Sequence, residues 1–148
     1  MSEVTVGTAS RTPWHLWAVG IVGLLWNGFG AYDYLMTQTE NAAYMARFTP
    51  EQLTYFYGFP TWVVALWAIA VWAGVLGCVL LLLRKRLAAP VLLASLVSMI
   101  LTSIYNYFLS DGLAVMGGTA AVFTVVIFLI ALGLWLYARA MAQQGVLT

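Results

Sequence analysis

Four apolar runs, each long enough to cross a bilayer and separated by short polar breaks, constrain this chain more than any motif in it. A helix needs about 20 mainly apolar residues to traverse the hydrocarbon core, and such runs cover approximately 14–36, 61–83, 87–109 and 113–138. Hydrophobic residues make up 64% of the 148 positions and charged residues 7%. A soluble domain carries about 25% charged residues, so no polar shell could cover this much apolar surface. Short strands of alternating polarity, which a membrane barrel needs, are absent. The expectation is an all-α polytopic membrane protein, one domain over 1–148, embedded in a lipid bilayer.

The remaining composition excludes several functions. The net charge is +1 and no basic arm or face is present, so a nucleic-acid partner is not expected. Cys78 and His15 are each alone of their kind, which leaves no internal disulfide and no bis-His haem or His-rich metal site. No Ser-His-Asp set, HExxH, phosphate-binding glycine loop or CxxC occurs, so neither catalytic residues, metal nor cofactor are expected, and the chain does not read as an enzyme.

In the first run, Gly20, Gly23, Asn27, Gly30 and Tyr34 alternate by three and four. They share one helical face, a seam of small and polar residues that suits close helix contact. Thr12-Pro13 reads as the helix entry, with Thr capping and Pro in the first turn. The run continues well past a signal-peptide core, with Trp17 and Trp26 in it, and so reads as a span. Trp14, His15 and Trp17 fall where an aromatic belt meets headgroups.

Residues 37–60 are too polar to span and too aromatic for a free loop. Thr49-Pro50-Glu51-Gln52 is a capping-box pattern with Pro at the first helical position, predicting a short interfacial helix from Pro50 to Tyr57 that Gly58 and Pro60 end. In the second span Ala70, Gly74 and Cys78, flanked by Ala73 and Gly77, form overlapping small-xxx-small patterns. Arg84-Lys85-Arg86 leads directly into the third span, forcing an antiparallel connection. The four spans are thus expected as two antiparallel hairpins. The third carries a polar stripe of Ser95, Ser98, Thr102 and Asn106, with Ser103 and Tyr105 beside it. The fourth presents Gly117, Ala121, Thr124, Phe128, Ala131 and Trp135 on its inward seam.

Orientation follows from the bases. With both termini cytoplasmic, Arg11, Arg84, Lys85, Arg86 and Arg139 all fall inside and Arg47 alone outside, as the positive-inside rule requires. The first and third spans then run in parallel and end on the outer side. Trp26-Asn27 with Asp33 matches Tyr105-Asn106 with Asp111, too short a likeness to establish an internal repeat.

Asn27 in hydrocarbon must find partners, because an unsatisfied amide costs several kcal/mol; Ser98, Thr102 and Asn106 are the candidates. Asp33 is an ionisable residue near the end of a span, either a solvated helix end or a residue that binds cation, proton or substrate. With Tyr34, Tyr105 and Asn106 these two predict an outward-facing pocket, continued inward by Ser98 and Thr102. Amides and phenols with aromatic faces suit a small polar, hydroxylated solute.

The segments Trp26-Asn27-x2-Gly30-x2-Asp33-Tyr34, Tyr44-Met45-x2-Phe48-Thr49-Pro50-Glu51-Gln52, Tyr57-Gly58-Phe59-Pro60 and Ile104-Tyr105-Asn106-Tyr107 resemble a group of small bacterial inner-membrane proteins of similar length, sometimes labelled "sugar transporter". The likeness covers most of residues 13–117. It implies the bacterial inner membrane as location and a sugar- or polyol-like solute as cargo. Four helices barely enclose a path, so a carrier of this size is expected to work as a homo-oligomer. The alternative is an accessory subunit or assembly factor of a larger membrane complex.

Overall fold

A computed structural model of the chain describes residues 12–148; Arg11 and most of the N-terminal tail lie outside the described residues. Every described element is helical. In order these are α1 (Trp14–Gln38), α2 (Ala42–Met45), α3 (Pro50–Tyr57), α4 (Thr61–Leu82), α5 (Ala88–Ile104), which runs on as a π-helical turn over Tyr105–Leu109, α6 (Gly112–Met116) and α7 (Gly118–Gln143). Among the described residues, three helices are long and apolar enough to cross a membrane: Thr61–Leu82, Ala88–Leu109 and Gly118–Gln143. They make this a membrane protein. α1 is 25 residues long, but its tryptophans, glycines, Asn27 and Asp33 dilute its apolar character.

Small residues set the packing. Down the α1/α4 contact, Gly20 meets Leu82, Gly23 meets Cys78, Asn27 meets Gly74 and Gly30 meets Val71. Tyr34 continues the series, its ring edge-to-face with Trp67 at 5.0 Å. Numbers fall along α4 as they rise along α1. At nearly every rung a small residue admits a larger one, so the axes approach closely. On its other side α4 meets α5 in the same way, with Gly77 against Leu92 and Gly74 beside Ser95. The Ser95 hydroxyl donates across this contact to the Ala70 carbonyl at 2.5 Å. The small residues of α4 therefore serve two neighbours. Next in the bundle, α5 packs against α7.

Helix ends follow local chemistry. Pro13 rather than Thr12 is the N-cap of α1, and it makes no side-chain capping bond; the Thr12 hydroxyl instead accepts from Arg84 Nη1 at 2.9 Å. Thr49 and Gln52 form the complete capping box of α3, with Pro50 in its first turn. α4 ends in a Schellman motif: Lys85 N–H bonds the Leu80 carbonyl and Arg84 N–H the Leu81 carbonyl, with Arg84 left-handed at φ 57°. The expected fourth span differs from the structure at its start. Gly117, at φ 85°, breaks the apolar run into α6 and α7, so the long helix begins at Gly118 rather than Leu113. A positive φ there interrupts the helical hydrogen bonding although the hydrophobic run continues.

Burial is uneven along the axis. Leu16, Cys78, Leu81, Ala88, Leu92, Leu134, Ala138 and Met141 form one core toward the Arg84 end, joined by Val146 and Leu147 of the C-terminal tail. That tail is fastened by Thr148 N–H to the Arg84 carbonyl at 2.9 Å and Arg86 N–H to the Thr148 carbonyl at 3.3 Å. His15 Nδ1 and the Tyr137 hydroxyl are hydrogen-bonded, tying the start of α1 to α7. Toward the Asp33 end, the helices separate around a cavity.

Candidate functional site

A cavity of about 380 Å³ lies among α1, α4, α5 and α7. Small-molecule sites typically measure about 300–1,000 Å³. From α1 it receives Trp26, Asn27, Phe29, Gly30 and Asp33, and from α4 Trp67, Ala70 and Val71. α5 contributes Ser95, Met99, Thr102 and Ser103, positions on one side of the helix, and its π-helical turn adds Asn106. α7 closes the wall with Phe123, Thr124, Ile127, Ile130, Ala131 and Leu134. Asp33 and Arg47, with side chains 38% and 55% exposed, mark the mouth.

The mouth is a knot of polar and aromatic groups. The Tyr44 hydroxyl donates to Asp33 Oδ1. Arg47 Nη2 lies 3.9 Å from the same oxygen, and its guanidinium sits 4.1 Å over the Tyr44 ring and 5.0 Å from the Phe48 ring. Tyr44 lies outside the long helices, and its phenol is pushed up to about 12, first by burial and then by the bond to Asp33 and its negative charge. It remains a neutral donor at any ordinary pH.

Deeper, the Asn27 carboxamide spends both N–H groups, on the Gly23 carbonyl at 2.8 Å and Cys78 Sγ at 3.6 Å. Its oxygen lies against Gly74, where a Cβ would overlap it. The expected partners Ser98, Thr102 and Asn106 on α5 are not the ones it uses, because the glycine rung brings α4 nearer. On α5 the π-helical turn carries Asn106, whose Oδ1 accepts from the Tyr55 hydroxyl at 2.6 Å. Tyr55 also meets Ser110 Oγ at 2.8 Å, and burial raises its phenol above the usual value. Gly112 lets α6 approach this knot, since a Cβ there would strike the Asn106 carbonyl.

Of the residues expected in a pocket, Asn27, Asp33, Thr102 and Asn106 line this one. Tyr34, Ser98 and Tyr105 do not. Tyr34 is engaged with Trp67. Tyr105 packs edge-to-face on Phe59 at 5.8 Å and Trp62 at 5.4 Å. Ser98 sits at the edge of that side of α5 and is buried in packing. Ser95 and Ser103, noted in or beside the stripe, take their places. The aromatic walls of Trp26 and Phe123 (5.8 Å apart) and Trp67 carry no sequence signal of their own. Arg47 does carry one: it is the lone base assigned to its side of the membrane.

No family model matches the chain, and no curated protein or solved structure shows a significant similarity to it. The chemistry of the site is read from its geometry.

Proposed function

We propose that this chain is a small-solute carrier of the bacterial inner membrane. In this reading α1 joins the three more apolar helices as a fourth span, in two hairpins, with both termini cytoplasmic and the Asp33 end outward. One observation supports it above the others: a 380 Å³ cavity with polar groups at several depths has the exposed Asp33 and Arg47 at one end, while the opposite end of the bundle is packed into one core. An alternating-access carrier needs a site that can be sealed on one side. The glycine rungs of α1 and α4 are where helices could slide, and a homo-oligomer would steady so small a bundle. The likeness to proteins labelled as sugar transporters points the same way.

The test is solute binding by the purified full chain in mild detergent, followed by thermal unfolding against sugars, polyols, organic acids and amines. A ligand at 100 times its dissociation constant adds about 2.7 kcal/mol. A reproducible shift that disappears in Asn27→Leu, with folding retained, is the expected result. No shift for any class, with a larger protein retained through purification, would instead favour the accessory-subunit reading, to which the exposed Phe108, Leu109 and Leu113 at the turn from α5 into α6 would then belong.

A further inference from the structure

The hydroxyl groups of the cavity have already committed their protons. Ser95 Oγ donates to the Ala70 carbonyl, Thr102 Oγ1 to the Ser98 carbonyl at 2.8 Å, and Ser103 Oγ to the Met99 carbonyl at 2.9 Å. A hydroxyl has one proton to give, so each of these side chains has only lone pairs left to offer. Asn27 is in the same condition, with both amide protons placed and its oxygen remaining. At the mouth Asp33 adds a carboxylate. The donors are the Asn106 amide group, whose oxygen is taken by Tyr55, Arg47, and the indole N–H groups of Trp26 and Trp67 on the aromatic walls. The hydroxyl and carboxamide lining is therefore biased toward accepting, and its one negative charge, on Asp33, is answered by Arg47 at the mouth.

The chain itself shows what the mouth accommodates. The Arg47 cation rests there between the Asp33 carboxylate and the Tyr44 and Phe48 rings. Its ion pair is long and exposed, and such pairs contribute little, so a ligand cation can displace it. Aromatic faces within about 6 Å attract cations further.

A second hollow says where the rest of the ligand goes. An almost wholly apolar groove of about 500 Å³ runs between α1 and α7, lined by Val19, Val22, Gly133 and Tyr137 among others. It shares Trp26, Ile130 and Leu134 with the cavity, so the two adjoin across these three side chains.

We infer that the site takes an amphipathic organic cation: a protonated amine, which only donates, at the Asp33 end and among the committed hydroxyls, with an apolar body against Trp26 and extending into the α1/α7 groove. A polyol asks for as many donors as acceptors, and a carboxylate would face Asp33. The inference rests on the solute-binding reading above and narrows its substrate class.

The test uses the full chain in nanodiscs of zwitterionic lipid and three probes of equal length, n-decylammonium, n-decanol and n-decanoate, beside a sugar panel. Binding is read from the unfolding midpoint. Decylammonium is expected to bind at least roughly tenfold more tightly than decanol, an exposed-to-intermediate charge effect, with no shift from decanoate. Asp33→Asn should remove that tenfold preference, Arg47→Ala should strengthen decylammonium binding severalfold, and Asp111→Asn, exposed and away from the cavity, should change nothing. Should Asp33→Asn fail to fold, the charge order of the probes and the Arg47→Ala gain still decide. Equal affinity for decanol and decylammonium, or a preference surviving Asp33→Asn, overturns the inference. Sugars binding in an Asn27-dependent way while decylammonium does not would overturn it and leave the carrier reading standing. No binding by any probe would remove both.

Discussion

The carboxamide of Asn27 rests on the bare backbone of Gly74, so that one polar side chain of α1 occupies the volume a side chain on α4 would need. The pair joins packing to site chemistry: Gly74 brings the helices close, and closeness lets Asn27 reach Cys78.

Gly74→Ala should therefore destabilise the protein by about 1–3 kcal/mol, the usual cost of overpacking. Removing the obstacle should recover part of this. In a double-mutant cycle with Asn27→Ala, thermal unfolding should show about 0.5–3 kcal/mol of coupling; strict additivity would mean that the two positions do not share one volume.

Thr49→Ala removes the Gln52 N–H bond to the Thr49 hydroxyl and leaves its reciprocal, from Thr49 N–H to Gln52 Oε1, in place. Losing such a cap costs about 1 kcal/mol. Because α3 has no buried residue, the loss should be local: amide exchange over residues 51–54 quickens while the global unfolding midpoint barely moves. A global shift with unchanged local exchange would contradict this.

Tyr55→Phe deletes the hydroxyl shared by Asn106 and Ser110. The expected loss is about 1 kcal/mol, as for an ordinary hydrogen bond. Tyr57→Phe on the exposed face of the same helix is the control, expected within about 0.5 kcal/mol of the parent. Equal effects would show that the Tyr55 hydroxyl does not hold the π-helical turn.

Tyr44 predicts a pH dependence. Its phenol is raised to about 12 in the folded protein from an ordinary value of 10.0, so the folded state binds this proton more tightly than the unfolded state. The corresponding stability is complete below pH 10 and is lost as pH climbs through about 12. Ultraviolet titration of the parent minus Tyr44→Phe isolates this one group. The difference should centre near 12, and Asp33→Asn should lower it; a difference centred at 10 would disprove the shift.

The α1 seam was open to reading because small residues recurring at helical spacing inside an apolar run have one main physical use, close approach of another helix. Which helix approaches is a different matter. Gly74 and Cys78 face α1 while Gly77 faces α5, and no one-dimensional spacing tells these sides apart. The break at Gly117 is hidden for the same kind of reason: the run stays apolar through 113–138, and only the backbone angle reveals it. In the cavity, Asn27, Asp33, Thr102 and Asn106 were visible as polar groups in apolar helices. Tyr34 and Tyr105 lie outside it, because an aromatic ring near a seam can equally well spend its edge on a neighbouring ring, as both do. Arg47 and Tyr44 reach Asp33 only through the path of the chain between α1 and α3, which composition does not encode.

The one-sided core has a mechanical consequence. With Leu16, Leu81, Leu92, Ala138 and Leu147 packed together near Arg84, and a void among the same helices toward Asp33, the bundle resembles a set of reeds clamped at the base. Thermal fluctuation should grow with distance from the clamp, so that breathing is greatest where the mouth knot of Asp33, Tyr44 and Arg47 lies and least where the tail is fastened. Opening then needs no hinge: the contacts of the mouth knot give, the far ends of the reeds part, and the clamp brings them back.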